Sequence, residues 1–309
     1  MSCNICQSAT PKTYVCEEKM FGFKNTFTYA ECSFCGSLQI DEIPDNIVDY
    51  YPPYYYSFTQ KIPKLERLPF FKRLFAGIRI RKKYKQDREL FRYLKEIDTS
   101  VDDRILDVGC GNGLLICELF NQGFEKVEGV DFFLPNEVDH GFNVKVHKKE
   151  VGDMPHDKYD LVMMHHVLEH MPEQQETLRS IRKVLKDNGC LMIRIPIIGE
   201  AWDTYRENWV QLDAPRHLII HSVQSLHILA EQTGFEVRKT IYDSTSFQFL
   251  GSELYKKGLP LCVKESNYEP YQFDTLFSEK EIEEFENRAK ELNMNHRGDS
   301  AAFYLYKKN

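Results

Sequence analysis

Two Cys-x-x-Cys pairs, Cys3-Asn4-Ile5-Cys6 and Cys32-Ser33-Phe34-Cys35, place four thiols near the start of the chain. Thiolates at i and i+3 grip one ion from a tight turn, and two such turns complete the tetrahedron that zinc accepts. The 25 residues between Cys6 and Cys32 exceed the commonest interval for such a site. Iron and redox chemistry are the alternatives, the latter without the strand–helix context it needs. A second group is Arg104-Ile-Leu-Asp107-Val-Gly109-Cys-Gly111-Asn-Gly113, an apolar strand running into a glycine turn that opens a helix. Such a turn lets backbone approach a ligand that side chains would block. Asp131 ends the next apolar run, where a carboxylate accepts hydrogen bonds from both hydroxyls of a ribose, so an adenosine-type cofactor is expected. The third group is His165, His166, Glu169 and His170, joined later by Asp213, Arg216 and His217. Imidazole titrates near neutral pH and is the natural general base for a weakly acidic hydroxyl. Strand alternation sends His165 and His166 to opposite faces, and His166 is expected in the pocket. Trp202, Tyr205 and Trp209 could stack on a sugar ring or cap an apolar cleft, and Asp213 with Arg216 could bind substrate or form a structural pair.

These groups need elements to hold them. The chain has 309 residues, 42% hydrophobic and 28% charged, with a formal net charge of −7; this is ordinary globular composition and argues against wholesale neutralisation of a nucleic-acid backbone. No apolar run approaches the length of a membrane-spanning helix. The opening residues lack the basic and apolar regions of a signal peptide, so a cytoplasmic location is expected, where nine cysteines do not form a disulfide framework. Residues 1–49 hold β-formers around a Gly22 turn and are too few for an apolar core, so a metal staple is expected there. Residues 50–100 form a Tyr-rich linker, Tyr50 to Phe58, followed by amphipathic helices with Phe71, Leu74, Phe75 and Ile78 in one stripe and Leu90, Phe91, Leu94 and Ile97 in the next. The linker tyrosines, Tyr54–Tyr56 among them, are expected to pack along the main domain. From Lys61 to Lys95 there are 13 Lys and Arg against Glu66, Asp87 and Glu89, which reads as a solvated face or as a peripheral contact with an anionic membrane.

From residue 101 to 309 short apolar runs alternate with helical periods, the pattern of a parallel sheet covered on both faces. Strands are expected at Ile105–Val108, Val127–Asp131, Val144–His147, Leu161–Met164, Leu191–Ile195, Glu236–Tyr242 and Ala301–Tyr306, with insertions near 197–220 and 243–277. Ser278-Glu-Lys-Glu281 is a capping box that opens a late helix.

The spacing Asp107-x-Gly109-x-Gly111-x-Gly113 departs from the dinucleotide fingerprint, which needs glycine where Leu114 stands. It resembles motif I of class I S-adenosylmethionine-dependent methyltransferases. Asp131, the run Tyr159–Pro172 and Leu185–Gly189 resemble that family's second strand, fourth strand and lead into the fifth. The resemblance covers about residues 100–242 and implies a doubly wound, Rossmann-like α/β fold with a seven-stranded sheet, preceded here by a small zinc-ribbon-like module. It implies S-adenosylmethionine as cofactor, held by Asp107, Gly109, Gly111, Gly113, Asp131 and His165, with Glu150 or Asp153 near the adenine. Zinc on Cys3, Cys6, Cys32 and Cys35 is the second expected cofactor. The cysteine pairs, the Tyr-rich linker and Trp209 to Leu218 are similar to a bacterial subgroup linked to surface-glycan and sugar methylation. The expected acceptor is therefore a small molecule or glycan methylated at oxygen, with His166, His217 and His170 as candidate bases and Trp209, Asp213 and Arg216 against the substrate. Deoxysugar C-methylation, RNA methylation with the module as reader, and a non-catalytic cofactor-binding scaffold are the rival readings. The acidic balance of residues 1–49, three lysines against seven carboxylates, weighs against nucleic acid.

Overall fold

The computed structural model describes residues 2–55, 60–85, 89–263, 269–270 and 272–308. Tyr56–Phe58 of the linker, Asp87, the side chains of Leu74 and Leu90, and parts of the 243–277 insertion lie outside the described residues.

In the N-terminal segment, β1 (Lys12–Glu17) and β2 (Thr26–Glu31) pair as an antiparallel hairpin, and β3 (Leu38–Ile40) adds to β2. The main sheet uses β4 (Ile105–Val108), β5 (Val127–Val130), β6 (Val138–Asp139), β7 (Lys145–His147), β8 (Tyr159–His165) and β9 (Leu185–Pro196). Downstream lie β10 (Ile219–Ile220), β11 (Phe235–Tyr242), a short hairpin of β12 (Cys262–Val263) and β13 (Glu269–Pro270), and β14 (Ser300–Lys307).

The main sheet runs β11-β14-β9-β8-β4-β5-β7-β6. Its central pairs are parallel, Val108 lying level with both Val130 and Met164, while β14 inserts antiparallel between β9 and β11. All seven expected strands are present. The eighth, the two-residue β6, pairs with β7 in the segment after Asp131 and takes the place of a longer helix.

Period-2 alternation explains the two faces. Leu106 and Val108 share one core with Val162, Met164 and Ile193, whereas Ile105 joins Leu161, Met163, Met192 and Tyr304 in the other. Helices Leu114–Gln122, Gln174–Val184, Val223–Gln232 and Glu279–Met294 accompany the sheet. The last begins with the expected capping box, Glu281 N–H donating to Ser278 Oγ and Ser278 N–H to Glu281 Oε2.

Two expectations need correction. The boundary at residue 49 does not separate two cores: β10, from the 197–220 insertion, pairs with β3 and completes the module's four-stranded sheet. Cys3, Ile5, Tyr29 and Leu38 belong to the same apolar cluster as Ile195, Trp202 and Leu218. The stripe Phe71, Phe75, Ile78 is also not a core face, since these side chains are 76%, 53% and 59% exposed. The helix breaks at Phe75 (φ −107°, ψ 18°) between Phe70–Leu74 and Ala76–Tyr84, so the apolar spacing slips and Ala76 and Ile80 turn inward instead. Phe91 and Leu94 are buried as expected.

Candidate active site

The chain order reverses at β4: β5 and β7 lie on one side of it, β8 and β9 on the other. In open parallel sheets ligands bind at such a switch point, beyond the carboxyl ends of the strands. Here that crevice is bounded by the glycine turn after β4 and the histidine loop after β8.

Gly109, Gly111 and Gly113 have φ of +69°, +54° and +89°, the left-handed region that L side chains avoid. A Cβ at Gly109 would stand 2.5 Å from Cγ1 of Val167, and one at Gly113 would stand 2.7 Å from Cγ2 of Val146. Gly113 opens helix Leu114–Gln122 with no side-chain cap, so its first-turn N–H groups face the crevice unsatisfied by a cap. His140 Nε2 lies 2.8 Å from the Asn112 carbonyl and steadies the turn. Asp131 holds it from the other side, Oδ2 accepting from Gly111 N–H and Oδ1 from Phe133 N–H, both at 2.9 Å. Each carboxylate oxygen keeps a second lone pair for a ribose hydroxyl. Asp107 is buried under the turn; burial first, and then the charge of Asp131, push its carboxyl up to about 8. The glycine cradle and these lone pairs fit an adenosine-type ligand.

Across the crevice, His165 stands level with Arg194 of β9, edge-on to the Tyr93 ring. Burial, then the Arg194 charge, hold its imidazole down to about 3. His166 has φ +52°, and its two nitrogens are both engaged: Nδ1 lies 3.3 Å from Glu169 Oε1, and Nε2 meets the Arg194 guanidinium. A guanidinium only donates, so the Nε2 lone pair is already used. His166 is therefore not poised as the expected base.

His170 and His217 are arranged differently. Nδ1 of His170 lies 2.9 Å from the Arg216 carbonyl and 3.2 Å from the Tyr51 hydroxyl, and Nδ1 of His217 lies 2.7 Å from the Gln211 carbonyl. A carbonyl only accepts, so Nδ1 carries the proton on each ring and Nε2 carries the lone pair. The rings meet edge to face, centroids 4.7 Å apart. Burial, then His170, push His217 down to about 4, so it is neutral at pH 7. Burial opposes the charge on Glu169, yet the His166 hydrogen bond and the neighbouring imidazoles hold it down to about 2.

The residues expected against substrate in the 197–220 insertion lie in the core. Trp209 is 0% exposed and donates from Nε1 to Asp299 Oδ2 at 2.9 Å. Trp202 and Tyr205 are buried as well. Arg216 is also 0% exposed: Nη2 reaches Asp213 Oδ1 at 2.6 Å and Glu18 Oε1 at 2.8 Å, and Nη1 donates to the Tyr50 carbonyl. Buried in this way, none of these rings offers a face to a ligand; the module lies on Trp202 through Tyr14 and on Arg216 through Glu18. Asp213 lies 3.9 Å from Nε2 of His217 and is tied mainly to Arg216. Asp153 lies exposed in the turn Val151–Asp153 that follows β7.

Sequence reasoning passed over the network behind His166. Arg194 Nε donates to Asp243 Oδ2 at 2.5 Å, and Asp243 also accepts from Tyr93 and from Ser300 Oγ. A lone arginine inside the apolar run Leu191–Ile198 was the available signal, because a buried charge demands partners.

In the N-terminal module, Cys3 Sγ lies 3.6 Å from Cys35 Sγ and Cys6 Sγ lies 3.4 Å from Cys32 Sγ. All four sulfurs lie within 4.8 Å of one another. The Cys35 thiol beside it draws Cys3 down to about 4, and Cys3 in turn raises Cys35.

Comparison with known proteins agrees with this geometry. A family model described as a methyltransferase domain matches residues 78–240. The ubiquinone biosynthesis O-methyltransferase of Rickettsia bellii is 26% identical over 152 residues, 45% of this chain and 63% of that protein. The Rickettsia akari protein of the same name is 35% identical over 181 residues, 53% of this chain and 72% of that protein. The chain thus spans under two thirds of the first of these relatives. A solved SAM dependent methyltransferase from Archaeoglobus fulgidus is 20% identical, with a TM-score of 0.40 over 76% of this chain and 94% of that one. With the family match covering more than half of the chain and falling on the glycine turn and both flanking loops, the chain belongs to the methyltransferase-domain family.

Proposed function

We propose that the chain methylates a hydroxyl oxygen of a small-molecule acceptor bound between the glycine turn and the 166–170 loop. The observation that carries this reading is the free lone pair on each of His170 and His217 beside an ionised Glu169, next to a turn whose Gly109 packs on Val167. A hydroxyl acceptor must lose a proton during transfer, which this cluster is built to accept or displace. The relatives' O-methyltransferase names support oxygen as the acceptor atom.

Asp131, Gly109, Gly111 and Gly113 would hold the S-adenosylmethionine, with Asp107 beneath them. When bound it supplies an electrophilic methyl on a sulfonium. The chain's own work is positioning: the left-handed turn admits the cofactor backbone-close, and Asp131 fixes its ribose. Val167 ties the turn to the acceptor loop, so the two reactants meet in one orientation, where most of the rate gain in such transfers arises. The hydroxyl proton passes toward the His170 side, where Glu169 stabilises the cation that forms.

A carbohydrate or sugar nucleotide is the acceptor class we set first, on the likeness of the cysteine module and linker to glycan methyltransferases. The burial of Trp202 and Trp209 removes aromatic stacking as support for it. Zinc on Cys3, Cys6, Cys32 and Cys35 belongs to the same reading, as a closed structural site. The exposed Phe71, Phe75 and Ile78, with Lys72 and Lys82 in the same two helices, support contact with an anionic membrane surface, to be checked by co-sedimentation with phosphatidylglycerol vesicles.

The test is methyl transfer from labelled S-adenosylmethionine to a panel of nucleotide sugars and catechols. Product carrying an O-methyl group supports the reading. Methylation only at carbon, nitrogen or RNA overturns it.

A further inference from the structure

Glu169, His170 and His217 converge on one another. One carboxylate oxygen of Glu169 and one nitrogen each of His170 and His217 lie within 4.8 Å of one another. Glu169 is 0% exposed, and its Oε2 has no hydrogen-bond partner among the described residues. Oε1 is the oxygen that meets His166. On both rings Nδ1 is bound to a backbone carbonyl, so the other nitrogen is an acceptor. Nε2 of His217 also lies 3.9 Å from Asp213 Oδ2, again an acceptor. A buried carboxylate oxygen with no donor, close to two imidazoles whose Nδ1 atoms are already bound to carbonyls, is an arrangement that a positive centre would complete.

We infer that Glu169, His170 and His217 form a binding site for a divalent first-row transition cation, distinct from the four-cysteine site, and that this cation holds the acceptor's oxygen. Two imidazoles and one carboxylate suit such ions and leave coordination positions open. The carbonyls of Arg216 and Gln211 play the part that backbone acceptors play behind metal-bound histidines: they fix the tautomer and aim the ring. His166 does the same for the carboxylate. Coordination would make a bound hydroxyl acidic enough to release its proton to solvent, in place of the transfer toward His170 that the ion-free cluster would make, so that no free base at His166 is needed. The placement of the acceptor rests on the O-methylation reading; the ion site itself does not.

The experiment uses the full chain with zinc retained on its cysteines, titrated with cobalt(II) and read by visible absorption and total metal content. One cobalt per chain is expected, with d–d bands and no thiolate-to-metal charge-transfer band. Glu169→Gln and, separately, His217→Asn should each weaken cobalt binding at least about 10-fold while S-adenosylmethionine affinity stays at the wild-type level, which shows that the variants are folded. No uptake by the wild type, uptake only with thiolate bands, or equal uptake by both variants overturns the site. Undiminished O-methylation by metal-stripped, zinc-retaining protein overturns the acceptor role. Cobalt bound as expected in a protein that methylates no hydroxyl acceptor leaves the ion site standing and removes the O-methylation reading instead.

Discussion

Glu18 of the N-terminal module and Arg216 of the catalytic domain form an ion pair of 2.8 Å in which neither side chain is exposed. Glu18 Oε1 and Oε2 also accept from the N–H groups of Phe21 and Phe23, so one carboxylate shapes the module's loop and clamps it to the domain. Removing one partner strands a buried charge, which costs about 3–5 kcal/mol. Glu18→Ala is expected to lower unfolding stability by about that amount, measured by urea denaturation; a loss below about 1 kcal/mol would show that Asp213 alone satisfies the guanidinium.

Loss of metal from the cysteine module should spread into the domain. β10 pairs with β3, and Ser222 Oγ meets the Cys35 carbonyl, so the cysteine turns and the 217–222 segment are continuous. We expect Cys35→Ser to lose bound zinc and to melt at lower temperature in one transition, followed by metal analysis and calorimetry. A separate low-temperature transition with an unchanged main one would mean that the module unfolds alone.

Steric closeness at the glycine turn gives a contrast between two sites of similar φ. Gly109→Ala puts a methyl 2.5 Å from Val167 and should abolish measurable S-adenosylmethionine binding in calorimetry. Gly141, at φ +87° with nothing within 4 Å of a new Cβ, bears only the backbone penalty of about 1 kcal/mol. Gly141→Ala should keep its cofactor affinity. Equal losses at both sites would argue that backbone strain, and not the close approach of Val167, governs the turn.

Acid should destabilise the fold through His221. It is fully buried between Ser225 Oγ at 2.9 Å and Gln174 Oε1 at 2.8 Å, and burial pushes it down to about 4 from an ordinary 6.5. The unfolded chain therefore binds the extra proton first as pH falls. The neutral form's full contribution is present above pH 6.5 and is lost progressively down to about pH 4, amounting to on the order of 3 kcal/mol. His221→Gln should flatten the stability profile between pH 6.5 and 4, read from denaturant midpoints. An unchanged slope would assign the acid sensitivity to other groups.

What could be read along the chain was whatever depends on neighbours in sequence. Alternation of apolar residues marked all seven expected strands, and Asp107, the three glycines and Asp131 declared their turn, because a left-handed backbone next to a strand admits few other residues. The two cysteine pairs likewise announced a four-thiol cluster. Tertiary structure decided which polar side chains are exposed. Trp209, Asp213 and Arg216 looked like a substrate wall, yet Trp209 is buried against Asp299, Asp213 is tied to Arg216, and Arg216 lies under Glu18, 198 positions away. His166 looked like a base until Arg194 took its lone pair. Glu169, His170 and His217 became one cluster only when the 213–217 segment folded back over the β8 loop. Spacing encodes which face a residue takes on its own element; it carries no record of what another element will lay against that face, and burial is set by that second surface.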